Sequence, residues 1–167
     1  TAKIRAGMGH IYVAGGAESM SSIPMTGYKF APNYNITSNT PDYVAGMGHT
    51  AEAVAKKWGI TREAQDEFSV RSHQRAAAAI DAGKFEAEIL PIDVEEVYVE
   101  DNVKKTRSWT VSVDEGVRRE TTMEALGRLK PAFMNNGTVT AGNSSQTSDG
   151  AAFVLVVSEE MVKKFNL

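Results

Sequence analysis

The chain contains no cysteine. Disulfides, thiolate metal sites and a cysteine nucleophile are therefore excluded within its 167 residues. No apolar run approaches the roughly 20 residues that a bilayer-spanning helix needs, and the N-terminus carries no charged-then-apolar leader pattern. Those absences point to a cytoplasmic protein without a membrane span. Charge of one sign is lacking too. With 18 Lys+Arg against 21 Asp+Glu the net charge is −3, which argues against a dedicated nucleic-acid binder. The three histidines, His10, His49 and His73, fall on different expected elements with no i,i+4 pair, so no metal site is expected. His49 stands out among them because it sits at a helix start beside a glycine. Gly-Met-Gly at 7–9 and 46–48 completes neither a dinucleotide fingerprint nor a phosphate loop, and Gly-x-Ser-x-Gly does not occur.

What remains is an ordinary globular composition, 42% hydrophobic and 23% charged, on a chain long enough to bury a core. Residues 1–7 read as the last turns of a helix stopped by glycine. The apolar run His10–Ala14 reads as a buried strand ending in a Gly-rich turn, Gly15 to Ser21. Residues 22–44, with three prolines and three asparagines, lack a period and read as a long surface excursion. Helices follow at Met47–Trp58 and about 62–82, each closed by glycine. On the second, Ala64, Phe68, Ser72, Ala76 and Ala79/Ile80 trace the expected apolar stripe, with Arg62, Glu63, Asp66, Arg71 and Arg75 in water.

A hairpin is expected from Ile89–Val99 and Trp109–Val113, with Glu95, Glu96, Glu100 and Asp101, then Lys104, Lys105 and Arg107, forming a solvated tip. Thr121-Thr122-Met123-Glu124 fits a capping box, and the short helix it opens ends near Gly127. Residues 138–145 form a strand end and a small-residue loop, Ala151–Val157 reads as a second buried strand, and a helix follows at 159–165. The reading is an α/β fold in which residues 1–21 and 137–167 belong to a core. Residues 22–136 form an inserted, mainly helical domain.

Three segments invite a ligand. At Met47–Glu52 a glycine at a helix start permits close approach to the backbone. At Arg118–Thr122 leading to Leu129–Phe133, cations precede an apolar, proline-fixed corner, which suits phosphates at one end and an alkyl amide at the other. At Gly137–Gln146, small side chains would let an extended ligand lie against the backbone. Each also has a plain structural reading, as helix cap, loop corner and tight turn.

In this order the segments resemble the thiolase family. The carriers are Gly15–Ser21 (GGAESMS), Met47–Glu52, the helix REAQDEFSVRSHQRAAAAI, Gly83-Lys84-Phe85 with Glu88–Pro91, Ala125–Phe133, and Gly137–Gly150 (GTVTAGNSSQTSDG). The Asn-Ser-Ser-Gln form, with Val117-Arg118 and Thr121-Thr122 upstream, is more similar to the degradative 3-ketoacyl-CoA type than to the biosynthetic type.

The resemblance implies a thiolase-like βαβαβαββ half whose inserted loop domain covers coenzyme A. It implies an acyltransferase that cleaves 3-ketoacyl-CoA with CoA to acetyl-CoA and a shortened acyl-CoA, or runs the reverse condensation, in fatty acid β-oxidation. Coenzyme A enters as substrate, with no other cofactor, and the intact protein is implied to be a homodimer or homotetramer. Carried over by position, Met47 lines the pantetheine/acyl tunnel and Arg118 lies near the CoA adenine and phosphates. Phe133 and Ala141 pack along the pantetheine, and Ser145 hydrogen-bonds its amide. The family's cysteine nucleophile, its histidine, its second cysteine and its oxyanion asparagine have no counterpart here. No catalytic residue is therefore expected in the chain, which resembles an internal segment and is expected to be inactive alone. The alternatives are a CoA- or acyl-binding module of thiolase descent without turnover, and a purely structural fragment that binds nothing.

Overall fold

The computed structural model describes residues 1–167, which fold as two compact units. One comprises residues 1–40 and 146–167, the other residues 41–145. These divisions fall at 40/41 and 145/146, whereas the sequence places its boundaries at 21/22 and 136/137.

In the first unit, α1 (Ala2–Arg5) precedes β1 (Ile11–Glu18), which pairs antiparallel with β4 (Gly150–Val157) from Ile11↔Val157 to Glu18↔Gly150. Gly7, in the left-handed region at φ 69°, turns the chain out of α1. Neither strand is buried, contrary to what their apolar runs suggest. They pair only with each other, and Val13 (71%), Phe153 (63%) and Val154 (62%) stay open to water. Within the 22–44 excursion the chain forms α2 (Tyr34–Asn39), whose first turn is capped by the Asn33 side chain accepting from the Asn35 N–H at 2.9 Å. Ser158 caps α6 (Glu159–Phe165).

In the second unit, α3 (Met47–Trp58) and α4 (Arg62–Asp81) match the expected helices. Gly59 ends α3 at φ 65°, and the Thr61 hydroxyl starts α4 by accepting from the Ala64 N–H at 3.2 Å. β2 (Ile92–Glu100) and β3 (Val103–Val111) form the hairpin. Its tip is only Asp101-Asn102, both at positive φ, the geometry that matches the twist of two adjoining strands. Lys104, Lys105 and Arg107 therefore belong to β3 rather than to the tip. Glu96 takes Arg107 and Glu100 takes Lys105, the latter at 2.6 Å. The Arg107 guanidinium lies 5.5 and 5.3 Å from the Tyr98 and Trp109 ring centres.

In α5 (Met123–Gly127) the Thr122 hydroxyl caps Ala125, but Glu124 reaches forward to Arg128 rather than back. The reciprocal capping box lies instead at Thr140 and Asn143, around the 3-10 turn Ala141–Asn143.

The core is smaller than the chain length suggests. Ala55, Leu126 and Val139 are its buried apolar residues, beside buried Glu52, Asp66 and Thr140. Two-stranded sheets, each with its faces open, account for this. The α4 stripe is also rotated from the expected one. Phe68 is 65% exposed, whereas Asp66 is 2% exposed, with Arg62, Gln65, Ser69 and His73 half-buried beside it.

Hydrogen bonds explain the inversion. Asp66 accepts from Arg62 Nε at 2.7 Å and from Asn143 Nδ2 at 2.9 Å, using both oxygens. Arg62 Nη2 donates onward to the Leu126 and Leu129 carbonyls at 2.6 and 3.1 Å.

Glu52 is the second buried acid. Its carboxylate accepts from the Thr138 N–H (2.8 and 3.0 Å), the Val139 N–H (2.8 Å) and the Thr138 hydroxyl (3.1 Å). Burial pushes its pKa up. The bonds from Val139 and Thr138, with the His49 charge one turn of α3 away, outweigh that and hold it below the usual glutamate range. Residues 137–145 are thereby held on α3 and α4 together, which places them with the helices.

Two outcomes follow from this architecture. Because the folded-state pKa of Glu52 is depressed, its contribution is fully present above the ordinary glutamate range and is lost as pH falls through the folded value. Glu52→Gln, which leaves backbone donors poorly served, is expected to cost about 1–3 kcal/mol at pH 7 and to flatten the acid-side loss. Urea unfolding at pH 7 and pH 3 checks this, and unchanged acid sensitivity in the variant contradicts it. The bare faces of β1 and β4 are expected to bind a hydrophobic dye and drive self-association of the isolated chain. Light scattering of Val13→Lys and Leu155→Lys variants should show less association than the parent chain.

Candidate functional site

The site residues expected from sequence all lie in the unit formed by residues 41–145. Met47 opens α3 and is 70% exposed. The next residue, Gly48, has no side chain for a specific reason. A Cβ built there would lie 2.1 Å from Phe133 Cδ1, so the Phe133 ring rests directly on the helix backbone. Phe133 thus lies against the first turn of α3, the helix that Met47 opens. Phe133 keeps 39% of its surface open, so part of an apolar ring stays in water at the helix start.

Ala141 and Ser145 flank the 3-10 turn at 141–143 and are both exposed. Beneath them, a Cβ on Gly142 would sit 2.5 Å from methyl carbons of both Leu126 and Leu129. The loop is therefore pressed flat on the α5 corner, with small side chains outward. Its conformation is fixed internally as well. The Thr140 N–H donates to Asn143 Oδ1 at 2.7 Å, the Gly142 N–H to the Thr140 hydroxyl at 3.2 Å, and the Ser144 hydroxyl to the Thr140 carbonyl at 2.6 Å. Gly137 leaves room for the buried acid, since a Cβ there would meet Glu52 Oε1 at 2.2 Å. Chemically the loop offers a bare backbone and hydroxyls, and no nucleophile–base pair.

Arg118 stands on a different support. Its side chain is exposed, while its N–H donates to His73 Nδ1 on α4 at 3.2 Å. Its carbonyl accepts from the Thr121 hydroxyl at 2.8 Å. The neighbouring Arg119 is committed to Asp81 at the end of α4, with Nη1 2.9 Å from the carboxylate. The hydrogen bond from Arg119 holds the Asp81 carboxyl below its usual range, and the same bond raises the Arg119 pKa.

In the other unit, the Gly15–Ser21 and 146–150 segments meet. The Ser21 N–H and hydroxyl donate to the two oxygens of Asp149 at 2.8 and 2.6 Å, and these bonds lower the Asp149 pKa. Gly16, Ala17, Glu18, Ser148 and Gly150–Ala152 line an open cleft of about 480 Å³ there.

Sequence reasoning missed the residues that hold the loop and its corner, namely Glu52, Asp66 and Arg62, and it missed His73, which holds Arg118. Gly48 was the one positional signal it read correctly. An Arg-x-x-x-Asp pair on a helix reads as a solvated ion pair, and nothing in spacing distinguishes it from one that caps a distant loop.

The profile described as the thiolase N-terminal domain matches residues 1–160. The 3-ketoacyl-CoA thiolase of Bacillus subtilis is 50% identical over 99% of this chain, and peroxisomal 3-ketoacyl-CoA thiolase 2 of Arabidopsis thaliana is 41% identical over 99%. The chain covers 42% and 36% of those relatives, so it spans about two fifths of their length. Among solved structures, human mitochondrial 3-ketoacyl-CoA thiolase in complex with CoA superposes with a TM-score of 0.72 at 34% identity, over 99% of this chain and 42% of that one. The dimeric peroxisomal thiolase of Saccharomyces cerevisiae gives 0.74 at 36% identity, over 99% and 40%. The α/β architecture described above is accordingly part of a thiolase fold, and the chain belongs to the thiolase family.

Proposed function

We propose that the chain supplies the coenzyme A-binding portion of a 3-ketoacyl-CoA thiolase of the degradative type. In the intact protein, CoA cleaves a 3-ketoacyl-CoA to acetyl-CoA and a shortened acyl-CoA, the chemistry of fatty acid β-oxidation. On this reading the inserted segment 22–136 covers the coenzyme, and residues 1–21 and 137–167 belong to the core. Met47 and Phe133 take the pantetheine and acyl chain, Ala141 packs along the pantetheine, Ser145 meets its amide, and Arg118 meets the adenine and phosphates.

The observation that carries this reading is the flat loop at 141–145, pinned through its neighbours by the buried acids Glu52 and Asp66 and pressed on Leu126 and Leu129. A thin, extended ligand gains rate from such positioning because its far end can be held while its thioester reacts. The similarity to a human thiolase solved with CoA supports the choice of ligand. Similarity to a dimeric yeast thiolase supports a homo-oligomer, dimer or tetramer. No helix is long and apolar enough to cross a membrane, and a cytoplasmic location fits the bacterial relative.

Because these 167 residues hold no thiol, the nucleophile must come from polypeptide outside them. The isolated chain is expected to give no thiolysis of acetoacetyl-CoA, followed by loss of the enolate absorbance, and measurable turnover would defeat the reading. In the intact protein, Arg118→Ala is expected to raise the KM for CoA with kcat little changed, because the contact is remote from the bond that breaks. A loss confined to kcat would remove Arg118 from the phosphate end.

A further inference from the structure

We propose that His73 is the positioning residue for the anion-binding end of the site. It fixes the Arg118 backbone on α4, so that the helix sets the distance between the cation and the small-residue loop. This rests on the coenzyme A role proposed for Arg118.

The geometry is carried by one face of α4. Asp66 holds the loop through Asn143 at 2.9 Å, and His73 holds Arg118 through its N–H at 3.2 Å. Seven residues separate the two acceptors, which amounts to about 20° short of two full turns and about 10 Å along the axis. They therefore stand one above the other, and His73 is half-buried there like its neighbours on that face. Both backbone groups of Arg118 are used, the N–H by His73 and the carbonyl by Thr121. Two turns further on, Asp81 anchors Arg119, so this dipeptide is fastened to the helix at two points.

To accept the Arg118 N–H, Nδ1 of His73 must carry no proton, which assigns the neutral imidazole with its hydrogen on Nε2. A rigid helix with two acceptors in register acts as a ruler. The loop takes the amide-bearing part of the ligand and the exposed Arg118 side chain takes a polyanionic nucleotide end, their two anchor points lying about 10 Å apart along α4.

The test uses the intact enzyme with two thiol acceptors, CoA and pantetheine, the second lacking both phosphates and adenine. His73→Ala is expected to raise the KM for CoA by about three- to tenfold, the worth of one neutral hydrogen bond. It should leave kcat and the KM for pantetheine unchanged. His73→Gln, whose side-chain carbonyl can accept the same N–H, should restore the KM for CoA. Combined with Arg118→Ala, the His73→Ala change should add no further loss, because both act on one contact. An equal penalty with pantetheine, additive losses in the double variant, or failure of His73→Gln to rescue would each overturn the positioning role while leaving the coenzyme reading intact. If Arg118→Ala itself leaves the KM for CoA unchanged, the underlying reading falls and the role of His73 falls with it.

Discussion

The constraint on which the structure depends is the burial of two carboxylates, Glu52 on α3 and Asp66 on α4. A carboxylate removed from water is tolerated only when its lone pairs are met by donors. Here the donors come largely from a single stretch of loop: the N–H groups of Thr138 and Val139, the Thr138 hydroxyl and the Asn143 amide. Helices and loop therefore satisfy one another. Leu126 and Leu129 are drawn in by Arg62, Gly142 is pressed on them, and Phe133 closes over Gly48. Few apolar residues are buried, so this part of the fold is held by polar bonds of long sequence separation to an unusual degree.

Much was legible in the sequence where the signal is local. Gly59 and Gly83 end helices, Thr61 starts one, and the glycine at 48 marks a close approach. The family likeness was legible because its motifs are runs of small residues whose function is the space they leave. What was illegible depends on partners far along the chain. Periodicity assigned Asp66 to solvent and Phe68 to the core, because it weighs each side chain by polarity alone. A carboxylate with a distant amide waiting for it reverses that ranking, and the helix turns accordingly. Thr122 and Glu124 carry the letters of a capping box, yet Arg128 one turn on competes for the glutamate. The reciprocal box at Thr140 and Asn143 uses asparagine, outside the usual pattern.

The strands teach a related lesson. Apolar runs at 11–18 and 150–157 specify that the strands seek cover, and antiparallel pairing satisfies their backbone along one edge only. These strands belong to a chain of the thiolase family that spans about two fifths of its relatives' length. The hairpin differs in kind. Its charges and its guanidinium between two rings suit a face that meets water. The 137–145 loop lies in the unit that holds the hairpin, where its conformation is fixed by the buried acids of α3 and α4.

Asn143 shows how narrow such an arrangement is. Its amide nitrogen donates to Asp66 and to the Thr138 carbonyl, at 2.9 and 3.2 Å, while its oxygen accepts from Thr140. Every atom of the amide has a direction assigned to it. Hydrolysis to aspartate alters one atom, nitrogen to oxygen, and leaves volume and shape almost untouched. It would nevertheless set two acids face to face, and one would have to take up a proton for the pair to persist. The flat conformation of residues 141–145 would then answer to a chemical ageing event at a single amide.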